Sequence, residues 1–226
     1  MTQRNQIRTI QQAVLDRGGS VGSAGADGLW GDDTFDGIMD MLARIPEIAP
    51  PEVAGVIPSA WLQKVPMKRI IAHWTAGSYK VSALDREHYH FIVSGDGEIV
   101  KGDHDVSDNV NTGDGDYAAH TRGCNTGSIG ISLACMAGAE ESPFDPGAFP
   151  MNRTQWDAMI RAIAQLCVFY DIPVMANTVL SHAEVQGTLG IKQAGKWDYT
   201  RLAFDPGIKG AKACGDRMRE EVRRLI

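Results

Sequence analysis

Residues 68–79 read KRIIAHWTAGSY, and the rest of the chain is best understood outward from them. Arg69 is followed by Ile70, Ile71 and Ala72, then by His73 and Trp74, and the run breaks at once into Thr75-Ala76-Gly77. A short apolar run closed by a turn signal reads as a buried strand. Its last residues stand where a sheet presents side chains to a cleft, so His73 is either a reactive group or a satisfied histidine at a strand end.

Downstream, EHYHFIVSGDGEIVKG (87–102) places two β-rich runs around Asp96-Gly97. Both of these residue types tolerate positive φ, which predicts a hairpin. GSIGISLACM (127–136) reads as a further buried strand, and VLSHAEV (179–185) as a short strand or its end. Between them a helix is predicted from about Thr154 to Tyr170, with Thr154 and Asp157 as a capping pair and Trp156, Ile160, Ile163, Leu166 and Cys167 inward. A last helix is predicted from about Gly215, with Met218, Val222 and Leu225 in step. Strands mixed with helices predict an α/β domain: one mixed sheet flanked by helices, over residues 66–226.

Upstream, four prolines between Pro46 and Pro58 predict a stiff linker at 46–65. Residues 1–45 are predicted to form a small all-α module of two helices around DGLWG. The first would bury Ile7, Ile10, Val14 and Leu15; the second, capped by Asp32 or Asp33, would bury Phe35, Ile38, Met39 and Leu42.

The 226 residues carry a net charge of −6, which argues against nucleic acid as a main partner. No apolar run is long enough to span a membrane, and the polar start lacks the features of a signal peptide. The four widely spaced cysteines, Cys124, Cys135, Cys167 and Cys214, are expected to be reduced and structural.

His73 and His182 both follow apolar strand-like runs, and Asp198 lies in GKWD (195–198). Two histidines and a carboxylate, with one position left open, form a catalytic zinc arrangement. The ordered series IAHWTAG, YHFIVSGDG, HTRGCNTGSIGISL and SHAEV…KWD resembles the zinc-dependent N-acetylmuramoyl-L-alanine amidases of the type-2 family, over nearly all of residues 68–200. That resemblance implies a type-2 amidase fold and hydrolysis of the amide between N-acetylmuramic acid and L-alanine in peptidoglycan, with Zn2+ as cofactor. It implies His73, His182 and Asp198 as metal ligands, Lys196 as the group that steadies the oxyanion, and Tyr89 beside the reacting water. His120 and Asn125 match a segment that lines the substrate groove or stabilises its own loop. Thr75 borders the first ligand and could bond substrate; Trp74 is expected in the core, and His88, His90 and His104 are expected to be structural. Glu184 is either a support for a ligand or an exposed carboxylate. A rival third ligand is Asp205 in FDPG; Asp198 is preferred because Lys196 stands two residues before it. QGTLGIKQAG (186–195) is then expected to be a rim loop, and the acidic stretch 103–116 a solvated loop.

Ser132 stands where the muropeptide-recycling branch has a glutamate, which favours a phage-type protein. DGLWGDDT (27–34) resembles the small helical peptidoglycan-binding domain found beside wall hydrolases. The expectation is a monomeric endolysin of a phage or prophage, made in the host cytoplasm and acting on the wall after release. Alternatives are a cytosolic recycling amidase and a non-catalytic peptidoglycan-binding protein.

Overall fold

The computed structural model describes residues 2–44 and 55–226. The chain divides into two compact units, Met1–Ala49 and Pro50–Ile226. The expected linker lies outside the described residues from 46 to 54. From residue 55 the chain packs on the second unit: the side chain of Gln165 accepts from the amides of Val56 and Ile57 and donates to the Ile57 carbonyl, and Ile57 is buried.

In the first unit, α1 (Gln3–Leu15) and α2 (Asp32–Arg44) flank the glycine-rich turn. The inward faces differ from the expectation. Val14 is buried as expected, but Ile10, Leu15, Phe35 and Met39 are exposed, while Gln11, Val21 and Thr34 are buried; the Leu42 side chain lies outside what is described. The reason is polar: the Gln11 amide donates to Asp27, to the Leu29 carbonyl and to Thr34, and accepts from the Gly28 amide. A fully paired buried glutamine thereby shapes the loop that apolar spacing alone would place at random.

The second unit is a five-stranded sheet in the order β3-β2-β4-β1-β5. It contains β1 (Arg69–Trp74), β2 (Phe91–Val93), β3 (Ile99–Lys101), β4 (Ser128–Leu133) and β5 (Val179–Ser181). β1 pairs in parallel with β4 and β5, β2 pairs in parallel with β4, and only β3 is antiparallel, joined to β2 through the predicted turn with Gly97 at φ 89°. Parallel strands buried on both faces need no polar alternation, and β1 runs Ile70-Ile71-Ala72 without a break; β4 is equally buried but alternates Ile129, Ile131 and Leu133 with Ser128, Gly130 and Ser132.

Four helices accompany the sheet: α3 (Ala83–His88), α4 (Arg153–Phe169), α5 (His182–Leu189) and α6 (Ala211–Arg223). α4 buries Trp156, Ile160, Ile163, Leu166 and Cys167 as expected, but Asn152 caps it rather than Thr154: the Asn152 side chain accepts from the Gln155 amide, and Asp157 pairs with Arg153 instead. α6 starts four residues before the predicted Gly215, and Leu225 lies beyond its end and is exposed. Gly215 falls inside the helix, at a point where a Cβ would sit 2.0 Å from the Glu184 carboxylate and only glycine fits. VLSHAEV is both elements in turn: β5 ends at Ser181 and α5 begins at His182. Among the described residues no helix is long and apolar enough to cross a membrane.

Candidate metal centre

β1 ends at a sharp break. Ala76 has φ 56°, in the left-handed region, and Thr75 Oγ1 accepts from the Gly77 amide, so the turn forms on the residues that follow His73. His73 itself is fully buried, opposite Ser132 in the parallel register, and its carbonyl accepts from the Tyr199 hydroxyl at 2.5 Å. Beside it β5 delivers His182 as the first residue of α5. The sequence Ser181-His-Ala-Glu184 caps that helix: the Glu184 carboxylate accepts from the Ser181 amide and hydroxyl. Glu184 is buried, not exposed, and Arg219 of α6 grips it with two hydrogen bonds of 2.9 and 3.1 Å. The third group arrives on the loop after α5, where the Asp198 carbonyl accepts from the Ala183 amide at 2.7 Å. One of the unpaired N–H groups at the start of α5 thus ties the Asp198 backbone to the helix that carries His182.

The three side chains converge. Nδ1 of His73 lies 3.1 Å from Nδ1 of His182, and Asp198 Oδ2 lies 3.3 and 3.6 Å from those two nitrogens. Asp198 and not Asp205 joins the histidines in the one group of three or more such ligands among the described residues. Burial holds the His73 imidazole down at about 4, against an opposing pull from Asp198. Burial would raise the Asp198 carboxyl, but the facing imidazoles of His182 and His73 outweigh it and bring it down to about 2. At neutral pH His73 is therefore neutral and Asp198 ionised, the forms in which such groups bind metals.

The outer nitrogens set the tautomers. His73 Nε2 lies 3.2 Å from His120 Nδ1, and His120 Nε2 lies 3.4 Å from the Ser128 carbonyl. A carbonyl only accepts, so His120 carries its proton on Nε2 and its Nδ1 accepts, facing the Thr121 hydroxyl at 2.9 Å and His73 Nε2 at 3.2 Å; a proton on His73 Nε2 leaves His73 Nδ1 with a bare lone pair. His182 Nε2 meets Gln193 Oε1 at 3.0 Å, which leaves the second Nδ1 bare as well. Two lone pairs and a carboxylate facing one another without a proton between them repel, and a divalent cation resolves that repulsion. The donor set fits a zinc site with histidine and carboxylate ligands.

A cleft of about 400 Å³ opens above these atoms, lined among others by Thr75, Tyr89, His120, Lys196 and Trp197. Lys196 is exposed on its rim. The Tyr89 ring lies 5.2 Å from that of His73, and burial lifts its phenol well above the ordinary value, so it stays protonated. His120 is mostly buried and bonded to His73, while Gly130 passes so close that a Cβ there would lie 2.5 Å from its ring. Asn125 is absent from the cleft lining; its side chain accepts from the Thr121 amide and holds the loop. Trp74 is in the core, edge-on to Trp197 and Tyr199. His90 is buried and accepts from the Gly130 amide; His88 bonds the Leu84 carbonyl, and His104 lies 3.2 Å from Asp116.

Sequence reading missed Gln193 and the partnership of Glu184 with Arg219. The first four residues of the expected rim loop belong to α5, and Gln193 within it is buried. The Ser-x-x-Glu capping pattern at 181–184 was a usable signal for α5. Nothing local marks Gln193.

Solved structures similar to the chain include the Ph2119 endolysin of a Thermus scotoductus bacteriophage, 20% identical over 60% of this chain and 81% of that one, TM-score 0.39. Another is the N-acetylmuramyl-L-alanine amidase AmiD of E. coli, 19% identical over 54% and 51%, TM-score 0.38. A third is the endolysin amidase LysCS of Clostridium intestinale, 17% identical over 56% and 86%, TM-score 0.34. No curated protein matches. The N-acetylmuramoyl-L-alanine amidase family matches residues 63–200, more than half of the chain and the segment that carries His73, His182, Asp198 and the residues of the cleft, and the chain belongs to that family.

Proposed function

We propose that the protein is a zinc-dependent peptidoglycan amidase of phage or prophage endolysin type. The observation that carries this reading is the convergence of two bare Nδ1 atoms and an ionised carboxylate at the floor of a polar cleft, inside the family-matched segment. When bound by His73, His182 and Asp198, zinc would supply Lewis acidity toward water and toward the amide carbonyl.

The chain's own groups do the rest. Lys196 on the rim offers an ammonium to the oxygen that gains negative charge as the amide carbon becomes tetrahedral, a contribution of about 3 kcal/mol for one well-placed donor. Tyr89, held protonated by burial, can donate a hydrogen bond or a proton to the departing L-alanine nitrogen but cannot act as a base at neutral pH. His120 holds the His73 ring, and Thr75 stands beside the cleft for substrate contact.

The phage-type assignment is supported by Ser132, which lies opposite His73 where a carboxylate would be needed for the recycling branch. We assign the first unit a wall-binding role on its DGLWGDDT segment; tethering such a module to a hydrolase raises the effective concentration of the catalyst on an insoluble substrate. A monomer that binds neither nucleic acid nor membrane completes the proposal. The test is a digest of purified sacculi that counts new L-alanine amino groups against new reducing sugar ends. Amino groups alone are expected; reducing ends would mean a glycosidase, and neither product with tight sacculus binding would mean a binding protein.

A further inference from the structure

The gap between His182 and Asp198 holds a side chain whose position follows from the chemistry of its neighbours. Gln193 is 8% exposed, and its amide is pinned on both sides. Nε2 lies 2.9 Å from the Arg122 carbonyl and 3.5 Å from the Ile191 carbonyl, and Oε1 lies 3.0 Å from His182 Nε2. Two carbonyl oxygens accept only, so the NH2 group must face them and the amide oxygen must face the imidazole. An amide oxygen in turn requires a proton on His182 Nε2, and a neutral imidazole has one proton. The Nδ1 lone pair is then committed to the site shared with His73 and Asp198. The backbone of Gln193 is placed by the same helix: its amide donates to Gln186 Oε1 at 2.9 Å, and Gln186 stands one turn after His182 on α5.

We propose that Gln193 is the positioning residue for His182, fixing the ring's tautomer and rotation so that Nδ1 faces the metal. The inference rests on the metal-dependent reading above and deepens it. A histidine ligand whose outer N–H loses its acceptor typically binds metal 10- to 100-fold more weakly. The segment 186–195 is on this view a strap that carries a ligand's orienting group, rather than a loop that only borders the cleft.

Two substitutions separate orientation from packing. Q193M keeps the length and burial of the side chain and removes the acceptor; Q193E keeps an acceptor at the same place. Zinc affinity of the purified full-length protein is measured by competition with a chromophoric chelator, alongside the cobalt(II) absorption spectrum and the thermal midpoint of the metal-free protein. Q193M is expected to bind zinc 10- to 100-fold more weakly with an altered cobalt spectrum, and its metal-free midpoint falls by a few degrees because the Arg122 carbonyl loses its donor. Q193E keeps the acceptor for His182 but sets its second oxygen against the Arg122 carbonyl, so it is expected to bind zinc more weakly than the native protein and more tightly than Q193M. Native-like zinc affinity in Q193M overturns the inference, as does a loss in Q193E equal to that in Q193M, which would assign the effect to packing. Should Q193M not fold, Q193L replaces it and is read by the same two outcomes. A native protein that binds no zinc would instead bring down the metal reading itself.

Discussion

Replacing Arg219 with methionine is expected to unseat the helix that begins with His182. Arg219 is 2% exposed and donates to both oxygens of Glu184, to the Val179 carbonyl at 2.9 Å and to Asp216 at 2.8 Å. Breaking a buried pair by removing one partner costs about 3–5 kcal/mol, because the other charge stays buried without compensation. Glu184 would keep its two bonds from Ser181, which places the loss for R219M at the low end, about 3 kcal/mol. Urea unfolding followed by tryptophan fluorescence measures it, since four of the five tryptophans (Trp61, Trp74, Trp156 and Trp197) lie in the second unit. In R219M/E184Q the orphan charge is gone, so the double variant is expected to be more stable than the sum of the single losses by at least about 1.5 kcal/mol. A single loss below about 1 kcal/mol, the range of exposed ion pairs, or simple additivity would refute the claim that this pair braces the site.

Three further outcomes follow from the same geometry. Lys196→Met should lower kcat by about 100- to 1000-fold with zinc affinity unchanged, checked by sacculus turnover beside metal titration. Asp198→Ala should lose zinc binding and amine release together, whereas Asp205→Ala should retain metal content by elemental analysis; the reverse pattern would exchange their roles. Burial holds His90 at about 4 against 6.5 for an exposed histidine. The unfolded chain therefore takes up the proton first on acidification, and stability present above about pH 6.5 is lost as pH falls toward 4. The shift corresponds to about 3 kcal/mol over that window. With a chelator present, the stability of His90→Asn should fall less steeply between pH 6.5 and 4 than that of the native protein, and parallel curves would contradict this.

What was legible in the sequence was legible for local physical reasons. The run 69–74 reads as a buried strand because parallel strands covered on both faces need no alternation, and the Asp96-Gly97 turn declares itself by residues that accept positive φ. His73, His182 and Asp198 could be paired from strand ends and from the family's motif order. The supports of those ligands were harder to see because their partners are distant in the chain: Arg219 is 35 residues from Glu184, and the carbonyl that orients Gln193 is 71 residues away. His120 lines the cleft, and its bond to His73 depends on a close approach that only Gly130 permits. In the first unit, apolar spacing pointed to Ile10 and Phe35, and a buried glutamine network outweighed it. An eight-residue helix such as α5 is too short for periodicity to announce, and its cap was the better signal.

The position of a bound metal decides whether His73, His182 and Asp198 act as one site. A crystal of the zinc-loaded protein, measured across the zinc absorption edge, locates the ion by its anomalous scattering. One ion bonded to Nδ1 of His73, Nδ1 of His182 and the Asp198 carboxylate, with both Nε2 atoms still turned to His120 and Gln193, is the predicted result. An ion held through Nε2, bound at Asp205, or found elsewhere in the molecule would contradict it.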